Sequence, residues 1–348
     1  MRCGAEQTDM DARLERNLRT LMAIMACGAC AGLAFAVPQG HSVLAGLGYG
    51  VLMSGTLGAI EVFVLSGAIR DWLSQFPFTI ELAIRSAIYA VIIAVLQWFQ
   101  AGEFIAGLHS HASVTEFWYG FVYSAAISVL FNLGFAITNL IGARSFLNFI
   151  TGRYHTPVEE NRFVLFVDIA GSTGLAERLG GVGIHRFLAR TFRLLTDPVV
   201  DYRGEVLNYI GDEVIVTWPE ESGAIDSRPL RCFAAMREAL SRAAGQFESE
   251  FGAVPRIRGS LHYGPVIIGE IGEVKTAIVF NGDVMNTAAR LEELSRKVDG
   301  GFLASRAAME QFTSPLPFPV RDLGRLEIRG RVDGIDVVSM DGPVAAIA

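Results

Sequence analysis

Four long apolar stretches fill most of the first 142 residues and leave that part of the chain one class of solution. They run near 20–38, 43–69, 82–101 and 117–142. Each is long enough to cross a hydrocarbon core, which takes about 20 apolar residues as a helix. Inside lipid every backbone N–H and C=O must be bonded internally, so helices are the expected form. Hydrophobic residues make up 51% of the 348-residue chain, yet they are unevenly spread, and beyond about Arg144 the texture is that of a soluble domain. The expected division is an N-terminal segment over 1–19, a four-helix transmembrane domain over 20–142, a linker over 143–161, and an α+β domain over 162–342.

Arginines orient the spans. Arg13, Arg16 and Arg19 precede the first, Arg70 and Arg85 flank the second connection, and Arg144 and Arg153 follow the fourth. The intervening loops, Pro38 to Ser42 and Gly102 to Glu116, hold no Lys or Arg, so both termini and the C-terminal domain are expected in the cytoplasm. Ala34-Phe35-Ala36 also fits a signal-peptide cleavage pattern, but three further spans would anchor the remainder in the same orientation.

The net charge of -7, with no basic stripe, argues against nucleic acid as a partner. Cys27 and Cys30 lie in the first span, while Cys3 and Cys232 are isolated, so no disulfide framework is expected.

Three features of the membrane half resemble functional sites and have simpler readings. Gly46-Leu-Gly48-Tyr-Gly50 resembles a nucleotide loop but sits inside a span, where glycines at i, i+4 form a flat surface for close helix packing. Glu61, within the second span, needs a partner, and Arg85 can reach it, giving an ion pair that fixes helix register; the alternative is a proton or ligand sensor. His109 and His111 lack further ligands and read as solvated loop residues rather than a metal site.

In the second half, Phe163 to Val167 reads as a strand, followed by helical runs near 172–179 and 184–201. Glu205 to Ile210 and Val214 to Val216 then read as a hairpin closed by Gly211-Asp212. A long helix near 228–251, strands near 256–264 and ending at Phe280, a helix over 284–297 and closing strands complete the order, which suits an antiparallel sheet with helices on one face.

Asp168 ends the first strand and opens through Ile169-Ala-Gly171-Ser172-Thr173 into a helix start, a backbone arrangement that offers N–H groups to an anion such as a triphosphate. If that strand pairs with the hairpin, Asp168 and Asp212 converge as two hard oxygen donors suited to Mg²⁺. Asn286 and Arg290, one turn apart on one helix face, add an orienting amide and a fixed cation, the parts a phosphoryl-transfer site requires.

Four stretches in this order, "FVLFVDIAGST", "GEVLNYIGDEVIVTW", "NGDVMNTAARLE" and "LEIRG", resemble the catalytic domain of the class III nucleotidyl cyclases, the adenylate and guanylate cyclases. The resemblance covers about residues 160–340. It implies a ferredoxin-like α+β fold, a homodimer with composite sites at its interface, and conversion of a nucleoside triphosphate to a 3′,5′-cyclic monophosphate and pyrophosphate.

By position, the resemblance makes Asp168 and Asp212 the metal-binding aspartates, assisted by the carbonyl of Ile169, for two Mg²⁺ or Mn²⁺ per site. It makes Asn286 the ribose-positioning residue, Arg290 the arginine on the pentavalent phosphorus, and Arg329 the contact to the terminal phosphates. Gly171, Ser172 and Thr173 would line the phosphates.

The positions that read the base, Asn208 and Val279, depart from the usual adenylate and guanylate cyclase pairs. An asparagine amide pairs with either purine and a valine with none, so the residues leave ATP and GTP both open. ATP is the expected substrate, because the Arg-rich, Lys-poor chain reads as bacterial, where adenylate cyclases are the commoner form. The membrane would then be the inner membrane. The alternatives are a guanylate cyclase or a weakly active membrane receptor that keeps the fold. The linker "RSFLNFITGRYHTPVEEN" reads either as a coupling segment or as a passive tether, with His155 as a packing or capping residue.

Overall fold

The computed structural model describes residues 2–65, 68–73, 75–101, 114–274, 276–298, 300–314, 316, 318–327 and 334–340. The chain divides into two compact units, Met1–Ile141 and Gly142–Ala348.

The first unit is helical: α1 (Arg2–Ala36), α2 (Val43–Ala59), α3 (Ala68–Leu73), α4 (Phe78–Ala101) and α5 (Val114–Ile141). Four segments, Asn17–Gln39, Val43–Val64, Phe78–Trp98 and Phe117–Thr138, are long and apolar enough to cross a membrane. The second ends in a π-helical turn at Ile60–Val64 instead of running to 69. The third begins at Phe78 rather than near 82, because Glu81 is carried inside the helix by its pair with Arg85 at 2.9 Å.

Close packing of α1 on α2 is made by glycine. A Cβ on Gly32 would stand 2.2 Å from the Gly46 carbonyl, and one on Gly50 2.1 Å from the Gly28 carbonyl, so any larger residue would force the backbones apart. The glycine run is thus a packing surface. Glu61 has its expected partner as well: Arg85 Nη1 lies 2.5 Å from Glu61 Oε1, and Tyr89 donates to the other carboxylate oxygen. His109 and His111 lie outside the described residues.

The second unit opens with α6 (Ala143–Thr151) and continues β1 (Val158–Ile169), α7 (Ser172–Asp201), β2 (Glu205–Ile210), β3 (Glu213–Pro219), α8 (Glu220–Ala224), α9 (Arg228–Arg242) and α10 (Ala244–Phe251). β4 (Ile257–Ile271), β5 (Ala277–Asn281), α11 (Asp283–Ser295), β6 (Phe302–Ser305), α12 (Arg306–Met309), β7 (Val320–Leu326) and β8 (Ile335–Met340) follow. The strands form one sheet in the order β2-β3-β1-β4-β6-β8-β7, with β5 paired to β4. Its β2-β3-β1-β4 half, with α7 and α9 as crossovers, has the ferredoxin-like order.

Two expectations are corrected. The sheet is mixed, since β4 and β6 run parallel. Helices also cover both faces, for a reason visible in β1. Phe163, Leu165 and Val167 point into one core with Phe187 of α7 and Phe233 of α9. The alternate residues Val164 and Phe166 point into a second core with Val284 and Ala288 of α11. A strand buried on both faces reads as a continuous apolar run, which hides the second layer from the eye.

The kink in α7 at Gly180 (φ 71°, ψ 170°) splits it where two separate helical runs were expected. β1 begins at Val158, and Tyr154, 1% exposed, already belongs to the second core. Arg162, fully buried, anchors this entry through Glu160 at 2.9 Å, Glu205 at 3.2 Å and the Tyr154 hydroxyl at 3.2 Å. His155 is an exposed side chain facing Glu270 at 3.3 Å, not a packed one.

Candidate active site

The β2–β3 hairpin closes on Gly211-Asp212, because Ile210 pairs with Glu213 and leaves two residues for the turn. Gly211 adopts φ 64°, which glycine reaches at no steric cost. β3 pairs with β1 so that Asp168 stands opposite Glu213, and the Ile169 N–H donates to the Asp212 carbonyl at 3.2 Å. Register alone therefore brings the two aspartates to one sheet end. α7 starts at Ser172, after Gly171 in the left-handed region (φ 76°), and its first-turn amides have no partners within the helix. Ser172 Oγ donates to Asp212 Oδ2, fixing the turn against the helix start. Thr173 is exposed in the same turn.

Charge is crowded here. Asp168 is 3% exposed and meets Arg258 Nη2 of β4 at 2.7 Å and Arg296 Nη2 at 3.8 Å. Burial pushes its carboxyl up to about 6 despite Arg258, with Glu292 and Asp212 adding to the rise. Burial, together with Glu292, Asp168 and Asp212, also pushes Glu213 up to about 7. Glu292 of α11 is 3% exposed, and its Oε1 has no hydrogen-bond partner among the described residues. Four carboxylates thus face two guanidiniums. Among the described residues no three His, Cys, Asp or Glu side chains converge as a metal cage.

The other expected site residues lie apart from this cluster in a single chain. Asn286 is exposed on α11 and Arg290 half-buried one turn later; neither bonds to Asp168 or Asp212 among the described residues. Asn286 precedes Glu292 by six residues, about 9 Å of helix. Asn208 is exposed on β2 beside a bulge, its Oδ1 accepting from the Tyr209 N–H at 2.9 Å. Its pairing runs through Ile215 and Phe166 to Ser260 of β4, whereas Val279 of β5 pairs with Gly269. β5 nevertheless folds back toward β2, since the ring of Phe280, next to Val279, lies 5.2 Å from the Arg162 guanidinium, which bonds Glu205 of β2 at 3.2 Å. Arg329 lies outside the described residues.

Residues 155–338 match the family model of the adenylate and guanylate cyclase catalytic domain. The chain belongs to that family. Adenylate cyclase 2 of Rhizobium meliloti is 36% identical over 219 residues, covering 63% of this chain and 60% of the relative. Adenylate cyclase 1 of the same organism is 27% identical over 194 residues, covering 53% of this chain and 28% of the relative. The chain therefore spans less than two thirds of either relative's length. Among solved structures, that of a bacterial light-regulated adenylyl cyclase shares the fold, with a TM-score of 0.55, 22% identity and coverage of 63% of this chain and 64% of that one.

Four members of this cluster escaped the sequence, Arg296 at 3.8 Å from Asp168 among them. Arg258 and Glu292 reach Asp168 from β4 and α11, and Glu213 enters as the cross-strand neighbour of Asp168. Glu213 was legible in principle as the acid beside Asp212. Nothing in the spacing of Arg258 or Glu292 announces them, because both come to Asp168 across the sheet.

Proposed function

We propose that the chain is a membrane-anchored adenylate cyclase, converting ATP to 3′,5′-cyclic AMP and pyrophosphate at sites shared between two copies of its catalytic domain. The observation that carries this reading is the convergence of Asp168 and Asp212 under a carboxylate excess, inside a domain of the cyclase family. Divalent cations fit that cluster: the raised Asp168 carboxyl and the orphaned Glu292 Oε1 mark a surplus of hard oxygen donors. Asp168, Asp212 and the carbonyl of Ile169 would hold Mg²⁺ or Mn²⁺, with phosphate oxygens completing the shell. When bound, the cations lower the pKa of the ribose 3′-hydroxyl and neutralise the α-phosphate under attack.

The chain's own residues do the rest. Gly171, Ser172 and Thr173 present helix N-terminal amides to the phosphates. Asn286 orients the ribose so that its 3′-oxygen lies in line with the pyrophosphate leaving group. Arg290 stabilises charge on the pentavalent phosphorus, and Arg329 holds the terminal phosphates. Asn208 and Val279 border the base. That neither Asn286 nor Arg290 bonds to Asp168 or Asp212 within one chain, among the described residues, supports a site completed by a second copy, in a closed two-fold dimer with two equivalent sites. The arginine distribution supports a catalytic domain on the cytoplasmic side of a bacterial inner membrane.

The test is cyclic nucleotide formation by the full-length protein in detergent, with ATP and GTP in parallel under Mg²⁺ and Mn²⁺. Cyclic AMP that vanishes in Asp212→Ala supports the proposal. Cyclic GMP alone converts it to a guanylate cyclase, and no product from a folded dimer leaves a receptor module.

A further inference from the structure

The centre of the first unit holds a cavity that the cyclase reading does not use. It measures about 140 Å³, lies between α1, α2, α4 and α5, and is walled chiefly by Met53, Leu57, Ile93, Phe131 and Phe135. A single water needs about 10–15 Å³ by this measure, so the space suits a small organic body.

Most polar groups on the wall already have partners. Tyr49 Oη lies 3.1 Å from Ser124 Oγ and accepts from Gln97 Nε2 at 2.6 Å. Ser54 Oγ donates to the Gly50 carbonyl at 2.7 Å and Tyr123 Oη to the Ala31 carbonyl at 2.8 Å. Glu61 is taken by Arg85 and Tyr89. Two atoms stand out. Ser128 and Asn132 of α5 also line the cavity, at 7% and 8% exposure, and neither Ser128 Oγ nor Asn132 Nδ2 has a hydrogen-bond partner among the described residues.

The default for a hydroxyl inside a helix is to bond the carbonyl four residues back, as Thr138 does to Gly134 at 2.7 Å on this same helix. Ser128 forgoes that bond. The i, i+4 spacing puts Ser128 and Asn132 side by side on one helix face. An amide donor and a hydroxyl buried at mid-span without partners carry a heavy desolvation cost, which an acceptor inside the cavity removes.

We propose that this cavity binds a lipid-soluble molecule with an apolar body and a carbonyl oxygen, which accepts from both Asn132 Nδ2 and Ser128 Oγ. The unmet atom on Asn132 is a donor, so the ligand supplies an acceptor. Among the described residues no unpaired cation lines the wall to meet an anion, so the ligand is neutral. Its apolar body follows from the aliphatic and aromatic walls. The inference concerns binding by the first unit and is independent of catalysis.

The test titrates full-length protein in detergent with cyclohexanone carrying a ¹³C carbonyl, a ring small enough for a cavity of this size, and separately with cyclohexane, against protein-free micelles. The expected result is saturable uptake of the ketone, at least roughly tenfold weaker uptake of the alkane, and a carbonyl infrared band moved to lower frequency by hydrogen bonding. Asn132→Leu and Ser128→Ala should each weaken ketone binding roughly tenfold. Neither should lower the melting temperature, because each removes an unpaired buried atom. Absence of saturable ketone uptake, equal uptake of ketone and alkane, an unshifted band, or unchanged binding in both variants overturns the proposal and leaves the cavity to water.

Discussion

Replacing Asp168 by Asn should abolish cyclase activity and yet stabilise the metal-free protein. The Asp168 carboxyl rises from an ordinary 3.8 to about 6 in the folded chain, chiefly through burial. At about 1.4 kcal/mol per pKa unit, the ionised form is about 3 kcal/mol more costly folded than unfolded. The sign follows from linkage. The protonated acid contributes stability that is fully present below 3.8 and lost as the pH rises through about 6. An amide copies the shape of the protonated acid, and its oxygen can still accept from Arg258, but it lacks the acid's hydroxyl. A gain of about 1–3 kcal/mol at pH 7.5 is therefore expected, which for a unit of this size is a melting shift of roughly 3–10 °C.

The assay is thermal unfolding of the full chain in detergent with EDTA, followed by the fluorescence of Trp218, which is fully buried in the second unit. The difference between the Asp168→Asn variant and the parent protein should shrink on moving to pH 4.5, and Mg²⁺ should raise the melting temperature of the parent alone. A loss of stability at pH 7.5 without metal, or a gain equal at both pH values, would refute the idea that a buried, crowded carboxylate is the source of strain.

Two further outcomes follow from the same geometry. Co-expressing Asp212→Ala with Asn286→Ala chains should recover about a quarter of parental activity from two inactive proteins. Half of randomly paired dimers carry one site with both groups intact, and each such dimer keeps one site of two; no recovery would mean that each site is built within one chain. In the first unit, Glu61→Leu should lower the detergent melting temperature by leaving Arg85 with Glu81 alone and the Tyr89 hydroxyl without its acceptor, at about 1–3 kcal/mol, while Glu61→Leu with Arg85→Leu should restore most of the loss. If the double variant is as unstable as the single one, the pair is not what fixes the register of α2 and α4.

Much of the fold was legible because its signals are local. Long apolar stretches with few charges mark the four spans, and Gly211-Asp212 between two β-branched runs marks the hairpin. The second helical layer was not legible, because β1 is apolar at every position from Phe163 to Val167 and its sequence does not say which face is covered by what. At the site, Asp168, Asp212 and Ser172 declare themselves by position at a strand end, a turn and a helix start. Arg258 and Glu292 do not, since an arginine on a strand and a glutamate on a helix ordinarily face solvent.

The sequence by itself determined the element types, the membrane half, the ordered cyclase motifs and the two aspartates, because period, length and turn chemistry act over a few residues. Only the tertiary structure decided what those residues meet. Strand register set Glu213 against Asp168 and brought Arg258 beside it, and the path of α11 across the sheet added Glu292. Helix packing in the first unit left Ser128 and Asn132 facing a cavity without partners among the described residues. Each of these is a contact between residues far apart along the chain, fixed by the packing of whole elements and therefore absent from any local pattern.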